Sequence, residues 1–327
     1  MDEVILSIQD LQVQFQTYAG TVYAVNGMSF DVLRGEIFGL VGESGCGKSV
    51  TSLAVMRILP GQGRLTGGCI IFDGQDLASK SDAEMREVRG RRIAMIFQDP
   101  SASLNPVFSV GNQIRRIIRY HTGASKGEAN ERAIKLFEEV ALPDPERILE
   151  LYPHELSGGM QQRVMIAMAL ASGAELLIAD EPTTALDVTI QSQILELLVD
   201  LRNRQGLSIL LITHNLGVVA ETCDRVGVAY AGRIVETGPT ESVLNDMKHP
   251  YTQGLLAALP TPEQKGHDLH SIPGNVPDGL SHLPGCPFQA RCPYVMDVCQ
   301  DVEPPWVAFP GGQRAACHLY VEEASHA

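Results

Sequence analysis

The sequence has no hydrophobic run long enough to cross a membrane, and it has little positive charge. Its longest apolar runs, such as 164–171, fall well short of the roughly 20 residues that a membrane helix needs. It has 25 Lys and Arg against 39 Asp and Glu, a formal net charge of -14. That balance argues against a general nucleic-acid binder, because such proteins need a basic stripe to contact phosphates. We therefore expect no nucleic-acid partner.

We find no internal repeat or extended low-complexity segment in the sequence, and we expect no signal peptide. The opening residues Met1-Asp2-Glu3 do not begin the basic-then-apolar pattern of a signal peptide. We expect a cytosolic chain that touches a membrane only through partners. With 327 residues, of which 44% are apolar, the chain can bury a sizeable core and is longer than one minimal domain. A main domain with an appendage is the expected organisation.

Cysteine is sparse over most of the chain and concentrated near its end. The scattered cysteines are Cys46, Cys69 and Cys223, and the clustered ones are Cys286, Cys292, Cys299 and Cys317. In a reducing compartment such a cluster more often indicates a metal site than disulfides. The segment from about residue 248 is also rich in proline, so long regular elements are not expected there. We expect a small, loop-rich C-terminal domain that needs a metal site or another cross-link for stability.

A glycine-rich loop lies near the N terminus. Residues Gly42–Ser49 fit the pattern G-x-x-x-x-G-K-S/T, with an apolar strand at 37–41 before them and helical spacing at 50–59 after them. In such a loop successive backbone N–H groups and the helix N terminus hold phosphates. Lys48 would reach the β- and γ-phosphates, and the Ser49 hydroxyl would bind Mg²⁺.

Four further features place polar or glycine-rich groups next to expected strands or helices, where they could contact a nucleotide or its metal ion. The apolar strand 176–179 leads into Asp180 and Glu181, and two carboxylates there are costly unless they meet a metal or a proton-transfer task. An alternative is that Asp180 merely caps the turn at Pro182. The segment Leu156–Gln161 is expected to supply a second glycine-rich phosphate contact. Gln98 and His214 each follow an expected strand, although a lone histidine at such a place is usually structural.

The apolar spacing alternates between strand and helix periods. The expected strands are 5–8, 22–32, 37–41, 69–72, 93–97, 176–179 and 208–213, and the expected helices include 50–59, 160–171 and 191–201. From residue 99 to about 158 the spacing is helical, which indicates a helical insertion. Alternation of this kind predicts an α/β fold with a mainly parallel sheet covered on both faces.

Taken together, these motifs resemble the nucleotide-binding subunit of ATP-binding-cassette (ABC) transporters. The resemblance implies a P-loop ABC ATPase fold, with a RecA-like parallel-sheet core, an antiparallel β subdomain and a helical subdomain at about 99–158. It places the nucleotide-binding domain at 1–247 and a Cys-rich domain at 248–327. It also implies a head-to-tail dimer with ATP at the interface between the two protomers. In that dimer the LSGG segment of one protomer (residues 156–159) closes over the nucleotide bound to the other.

The resemblance also implies roles for individual residues. Glu181 orients and polarises the attacking water, His214 contacts the γ-phosphate, and Lys48 serves both binding and catalysis. The Mg²⁺ ligands are Ser49, Gln98 and Asp180. The ATP-binding residues are Phe15, Gly42, Ser44, Gly45, Cys46, Gly47, Lys48, Ser49, Val50, Gln98, Ser157, Gly158, Gly159 and Asp187. For adenine stacking Tyr18 and Tyr23 are rivals of Phe15, which could instead be a core residue at a strand end. The family more often has Asp at the position of Asn215.

Three segments resemble a narrower family, the ATPase subunits of bacterial dipeptide and oligopeptide importers. They are 97–106, 179–189 and 249–252. This resemblance implies two integral membrane permeases, a second related ATPase subunit in a heterodimer and an extracytoplasmic peptide-binding protein. The chain would lie peripherally on the cytoplasmic face of the inner membrane. Importers of nickel or glycosides share this ATPase type. A soluble ABC ATPase without a permease and a non-hydrolysing ATP-binding scaffold are the alternatives.

The cysteine cluster lacks the C-x-x-C pairs that are typical of structural zinc. In the resembling family this region is associated with a 4Fe-4S cluster held by four thiolates, here Cys286, Cys292, Cys299 and Cys317. Zinc, and unligated thiols or disulfides, remain the alternatives.

Overall fold

Strands and helices alternate along the chain in the computed structural model, which describes residues 3–184, 186–258, 271–280 and 284–321. Its strands are β1 (Val4–Thr17), β2 (Gly20–Leu33), β3 (Ile37–Val41), β4 (Gly63–Phe72), β5 (Gln75–Asp76), β6 (Ile93–Ile96), β7 (Leu176–Asp180), β8 (Ser208–Thr213), β9 (Arg225–Tyr230), β10 (Arg233–Pro239), β11 (Trp306–Ala308) and β12 (Arg314–Ala316). Its α-helices are α1 (Lys48–Val55), α2 (Asp82–Val88), α3 (Pro100–Ser103), α4 (Val110–Thr122), α5 (Lys126–Glu139), α6 (Pro145–Ile148), α7 (Gly158–Leu170), α8 (Val188–Gln205), α9 (Leu216–Thr222), α10 (Thr240–Asn245), α11 (Pro250–Ala257) and α12 (Val298–Asp301). Short 3₁₀ turns lie at Pro153–Glu155, Gln289–Arg291, Pro310–Gly312 and His318–Tyr320.

The sequence located these elements better than it located their ends. The strand expected at 5–8 is the start of β1, which continues to Thr17, and the helix expected at 191–201 is the middle of α8. Apolar spacing marks the buried centre of an element, whereas backbone hydrogen bonds continue into its polar ends. The early start of α8 follows from Asp187, whose side chain caps the helix by accepting from the N–H of Ile190.

The chain divides into two compact units. Unit 1 takes the described residues within 1–3, 33–37 and 79–212, and unit 2 takes those within 4–32, 38–78 and 213–327. The predicted boundary after residue 247 does not coincide with this division, and the domain limits drawn from the sequence stay a prediction.

Unit 1 contains a parallel sheet in the strand order β8, β7, β6. All residues of β7 and β8 are buried, as expected for strands covered on both faces. Parallel strands bring their carboxyl ends to one edge, so the segments that follow Ile96 and Asp180 leave the sheet side by side. The parallel core that the sequence predicted is confirmed in this unit.

The elements between residues 99 and 158 are helical throughout the described chain, which agrees with the expected helical insertion. Helices α4 and α5 pack against each other inside unit 1, with Ile114, Ile118, Ala133 and Phe137 fully buried. Gly111 lets α4 approach the segment after α6, because a Cβ at this position would lie 2.3 Å from the Leu149 carbonyl oxygen. No helix in the described ranges combines the length and the apolarity that a bilayer crossing requires.

Unit 2 holds an antiparallel ladder and the strand that leads into the glycine-rich loop. One sheet has the order β2, β1, β4, β5. Strand β3 pairs in parallel with β9, and β9, β10, β12 and β11 continue as antiparallel neighbours. The C-terminal segment therefore joins unit 2 by backbone pairing, with Glu236 of β10 opposite Ala315 of β12. Its described elements are short, as its prolines predicted.

Candidate nucleotide site

The glycine-rich loop connects β3 to α1, which is the strand, loop and helix order that the motif requires. Close backbone contacts require glycine at positions 42 and 47. A Cβ on Gly42 would lie 2.2 Å from the carbonyl oxygen of Ala229, and one on Gly47 would lie 2.5 Å from that of Ala24. Gly47 also has a φ of +90°, which favours glycine. The loop is therefore built against neighbouring backbone and admits no side chain at these two positions.

Lys48 and Cys46 line the loop from within. The Lys48 ammonium donates to the carbonyl oxygens of Gly42 (2.7 Å) and Glu43 (2.9 Å), so it lies across the loop where phosphates are expected. Cys46 is fully buried, and burial raises the pKa of its thiol. A neutral buried thiol at this position fills space and is a poor nucleophile.

Two contacts from later parts of the chain hold the loop backbone. The N–H of Gly232, in the turn between β9 and β10, donates to the carbonyl oxygen of Cys46 at 3.1 Å. The N–H of Glu43 donates to the hydroxyl oxygen of Tyr251, on α11, at 2.8 Å. Tyr251 was missed as a site residue, although its segment 249–252 stood out as a family resemblance. Nothing in the local pattern there signals a contact with the loop.

Gln98 and Glu181 are brought together in unit 1. The Gln98 side-chain amide donates to Glu181 Oε2 at 3.0 Å, and the Thr184 hydroxyl donates to the same oxygen at 2.9 Å. Glu181 has a φ of +47°, an uncommon backbone conformation for a residue with a side chain. Its N–H donates to the Ile212 carbonyl at 2.9 Å, which helps to hold that conformation. Strain of this kind is typical of functional positions, where the surroundings over-determine the backbone.

Asp180 is the last residue of β7 and is 7% exposed. A carboxylate in so buried a place requires a cation or hydrogen-bond donors. It lies directly before the strained Glu181, and the roles expected of the two carboxylates stay predictions.

The LSGG segment begins α7 in unit 1. Ser157 is the N-cap of the helix, and its hydroxyl accepts from the N–H of Met160 at 3.3 Å. Ser157 and Gly158 are exposed, whereas Gly159 is buried against Ile190, where a Cβ would come within 2.7 Å of a methyl group. Asp187 caps α8 in the same unit, where its carboxylate accepts from the N–H of Ile190 at 3.1 Å.

His214 lies in unit 2 as an exposed side chain directly after the buried strand β8. Asn215, which departs from the usual Asp, is the N-cap of α9, and its side-chain oxygen accepts from the N–H of Gly217 at 2.8 Å. Asn and Asp are about equally good at this capping role. The departure therefore preserves the local structure behind His214.

The aromatic candidates for adenine stacking differ in their surroundings. Phe15 is half-buried, and its ring lies over Gly63, where a Cβ would be 2.5 Å from the ring. Tyr18 is fully exposed, and Tyr23 is half-buried beside Gly279, whose carbonyl accepts from its N–H. The choice among the three stays a prediction.

The four clustered cysteines are gathered in unit 2. Cys286, Cys299 and Cys317 are buried, Cys292 is half-buried, and the N–H of Cys286 donates to the carbonyl of Cys299 at 2.8 Å. Burial raises the pKa of the Cys286 thiol to about 11, and the other three thiols add to the rise. In the described ranges, however, no group of three or more His, Cys, Asp or Glu residues has an arrangement that would hold a single metal ion.

Comparison with known proteins identifies the family. Residues 25–184 match the model of the ABC transporter family, and residues 235–299 match that of the oligopeptide/dipeptide transporter C-terminal region. The dipeptide transport ATP-binding protein DppD of Bacillus subtilis (strain 168) is 48% identical over 326 residues, covering 99% of this chain and 97% of that protein. The oligopeptide transport ATP-binding protein OppD of Salmonella typhimurium (strain LT2) is 47% identical over 320 residues, covering 98% and 95%.

Solved structures give the same result. The ATP-binding cassette MJ0796, a dimer bound to ADP and Pi in a post-hydrolysis state, superposes with a TM-score of 0.64 at 26% identity over 72% of this chain and 98% of its own. The cbiO1 subunit from Clostridium perfringens, part of the transporter complex cbiONQ, has a TM-score of 0.64 at 28% identity, covering 75% and 92%. The chain therefore belongs to the ABC transporter family as an ATP-hydrolysing subunit, in the branch that includes the dipeptide and oligopeptide transport ATP-binding proteins.

Proposed function

We propose that this chain is the motor subunit of an importer for dipeptides or oligopeptides. The observation that carries the proposal is the match of residues 235–299 to an oligopeptide/dipeptide transporter region in a chain that resembles peptide-transport ATPases over almost its full length. Its partners would be two membrane permeases and a second, related ATPase, served by an extracytoplasmic peptide-binding protein. The chain would sit peripherally on the cytoplasmic face of the membrane. Importers of nickel or glycosides are the alternative.

The residues fit binding of Mg-ATP. The loop N–H groups and Lys48 would take the phosphates, and Ser49, Gln98 and Asp180 would hold Mg²⁺, for which the buried Asp180 carboxylate is a suitable ligand. When bound, Mg²⁺ neutralises charge on the phosphate oxygens. The exposed Ser157 and Gly158 are available to a second protomer, as a head-to-tail dimer with ATP at the seam requires.

In this mechanism Glu181 orients and polarises the attacking water while His214 contacts the γ-phosphate. The donors Gln98 and Thr184 fix the Glu181 carboxylate oxygen in unit 1, so the side chain needs little reorganisation before reaction. Binding of ATP would close the dimer and switch the permease, and hydrolysis would reset it.

The proposal is tested by affinity purification of the tagged chain from gently solubilised native membranes, under nitrogen. We expect two polytopic permeases and a second cassette ATPase in the eluate. Ribosomal proteins or DNA-repair factors in their place would contradict a transport role. Uptake of labelled dipeptide by cells lacking the chain then identifies the solute, because loss of nickel or glycoside uptake with normal peptide uptake would favour the alternative.

A groove in the helical part of unit 1 is the surface we propose for permease contact. Its volume is about 1130 Å³, and its lining includes Phe108, Arg116 and Tyr120. Phe108 is 46% and Tyr120 is 74% exposed. Large exposed apolar side chains beside cationic ones suit a short amphipathic helix of a permease, with an acidic residue facing the arginines.

We expect Arg116→Glu to reduce permease recovery by about tenfold in the same purification, because it places like charges together at the docking surface. ATP binding by the isolated chain should not change. Arg132→Glu is the matched control, since Arg132 is an exposed arginine on α5 outside this groove. Equal loss of permease in both variants would show that charge reversal, and not this surface, is responsible.

We further propose that the four gathered cysteines hold a 4Fe-4S cluster. A 4Fe-4S cluster is held by four cysteine thiolates. Cys286, Cys299 and Cys317 are buried, and the N–H of Cys286 donates to the carbonyl of Cys299, which supports a shared role for these cysteines. The role of the cluster would be structural or redox-sensing.

Anaerobic purification should give about four irons and four acid-labile sulfides per chain. We expect Cys299→Ser to remove most of both, because it deletes a buried ligand. Cys69→Ser is the control, since Cys69 is exposed on β4 and lies outside the cluster. Stoichiometric zinc without sulfide, or iron retained in the Cys299 variant, would contradict the cluster.

A further inference from the structure

An ion pair joins the glycine-rich loop to the C-terminal segment within unit 2. Arg291 donates from Nη1 to Oε2 of Glu43 at 2.7 Å and from Nη2 to Oε1 at 3.0 Å. The two parallel bonds form the bidentate pairing that only a planar guanidinium makes with a carboxylate. Arg291 immediately precedes Cys292 in the chain. Its side chain nevertheless bonds to Glu43 of the glycine-rich loop.

All five N–H donors of Arg291 are used. Besides Glu43, Nε donates to the carbonyl of Pro273 at 2.9 Å, Nη2 to that of Ile272 at 3.3 Å, and Nη1 to the hydroxyl of Tyr230 at 3.4 Å. The side chain is only 4% exposed. A guanidinium so fully bonded and so buried is fixed in one orientation.

Aromatic rings support the same arginine. Its guanidinium carbon lies 5.8 Å from the ring centre of Tyr230 and 6.0 Å from that of Phe288. Tyr230 and Phe288 in turn pack with Tyr251, at ring distances of 4.6 and 5.4 Å. Tyr251 also accepts the hydrogen bond from the Glu43 N–H. The three packed rings therefore position both the Tyr251 hydroxyl and the Arg291 guanidinium, the two groups that bond to Glu43.

Glu43 is fixed at three points. Its carboxylate pairs with Arg291, its N–H donates to Tyr251, and its carbonyl accepts from Lys48. The motif leaves this position open, so phosphate binding by itself does not require a glutamate here. The contacts supply a reason: they fix the backbone between Gly42 and Ser44, whose N–H groups face the phosphates in loops of this type.

We propose that Arg291 is a positioning residue for ATP binding, acting through Glu43 on the glycine-rich loop. A loop already held in its binding conformation pays no ordering cost when ATP arrives. Loss of the ion pair also leaves a charge without its partner, which weakens the contact between the loop and the C-terminal segment. The effect falls on ATP affinity, because the two side chains bond to each other and act on the nucleotide through the loop backbone.

The test is the dissociation constant of a fluorescent ATP analogue for the full chain, with Mg²⁺. Arg291→Gln and Glu43→Gln are each expected to weaken binding by about tenfold. The double variant should be no weaker than either single one, because both remove the same interaction. Turnover at saturating ATP should stay within about twofold of the parent chain. Arg314→Gln is the control, because Arg314 lies in the same segment but stacks on Trp306.

Unchanged affinity in Arg291→Gln, or effects that add in the double variant, would overturn the proposal. A loss of affinity in the Arg314 variant equal to that in the Arg291 variant would do the same. If circular dichroism shows that Arg291→Gln does not fold, the ATP affinity of Glu43→Gln alone tests the proposal. Its side chain is 31% exposed on a loop, so the variant should fold, and normal ATP affinity there would refute the role of the ion pair.

Discussion

Glu181→Gln should lower ATP turnover by about 10²- to 10³-fold while ATP binding is retained. The substitution keeps the size of the side chain and one acceptor oxygen for Gln98 and Thr184, but it removes the negative charge that polarises water. The left-handed backbone at this position is held by the bond to Ile212 and should persist. Phosphate release at saturating Mg-ATP and equilibrium binding of nucleotide are the two measurements.

The matched control for this variant is Glu196→Gln, an equal loss of charge on the exposed face of α8. Its turnover should equal that of the parent chain. Retained turnover in the Glu181 variant would remove this residue from catalysis and would favour a scaffold that binds ATP for another purpose. Loss of binding with a normal fold would instead assign Glu181 to nucleotide affinity.

Gly47→Ala should lower the free energy of unfolding by about 3 kcal/mol or more and abolish ATP binding. Two effects combine at this position. The φ of +90° strains any side chain, and the new Cβ would lie 2.5 Å from the backbone oxygen of Ala24, which cannot move away as a flexible side chain could. Denaturant titration gives the loss of stability, and the fluorescent analogue gives the loss of binding.

Gly45→Ala separates the two effects. Gly45 has a similar φ of +86°, but no atom lies within 4 Å of the Cβ position. We expect a loss of only about 1 kcal/mol, the cost of the left-handed conformation alone. If both variants lost equal stability, the contact with Ala24 would have no energetic weight and the loop would be less tightly enclosed than the distances indicate.

The placement of the candidate site residues was predictable from the sequence where they are contiguous. The loop Gly42–Ser49 and the pair Asp180 and Glu181 each occur as short strings after apolar strands, and the structure places them at the ends of β3 and β7. Parallel pairing of β6 with β7 then accounts for the meeting of Gln98 and Glu181. For these residues the local pattern and the sheet geometry carry enough information.

Other features depend on contacts between distant residues and leave no local pattern. The Tyr251 and Arg291 bonds to Glu43 span 208 and 248 positions, and neither residue has a motif of its own. The positive φ of Glu181 is equally invisible in the sequence, because the surrounding backbone imposes it. The capping role of Asn215 lies between these cases, since its side chain acts only two residues away and could have been inferred from capping preferences.

The distance in sequence between Glu43 and Arg291 has a consequence for biosynthesis. A ribosome releases the glycine-rich loop first, and Tyr251 and Arg291, which hold Glu43, follow 208 and 248 positions later. A nascent or prematurely terminated chain can therefore carry all of the nucleotide motifs while its loop is still unfastened. From the proposal that Arg291 positions the loop, tight ATP binding is expected only in a chain whose translation has passed Arg291.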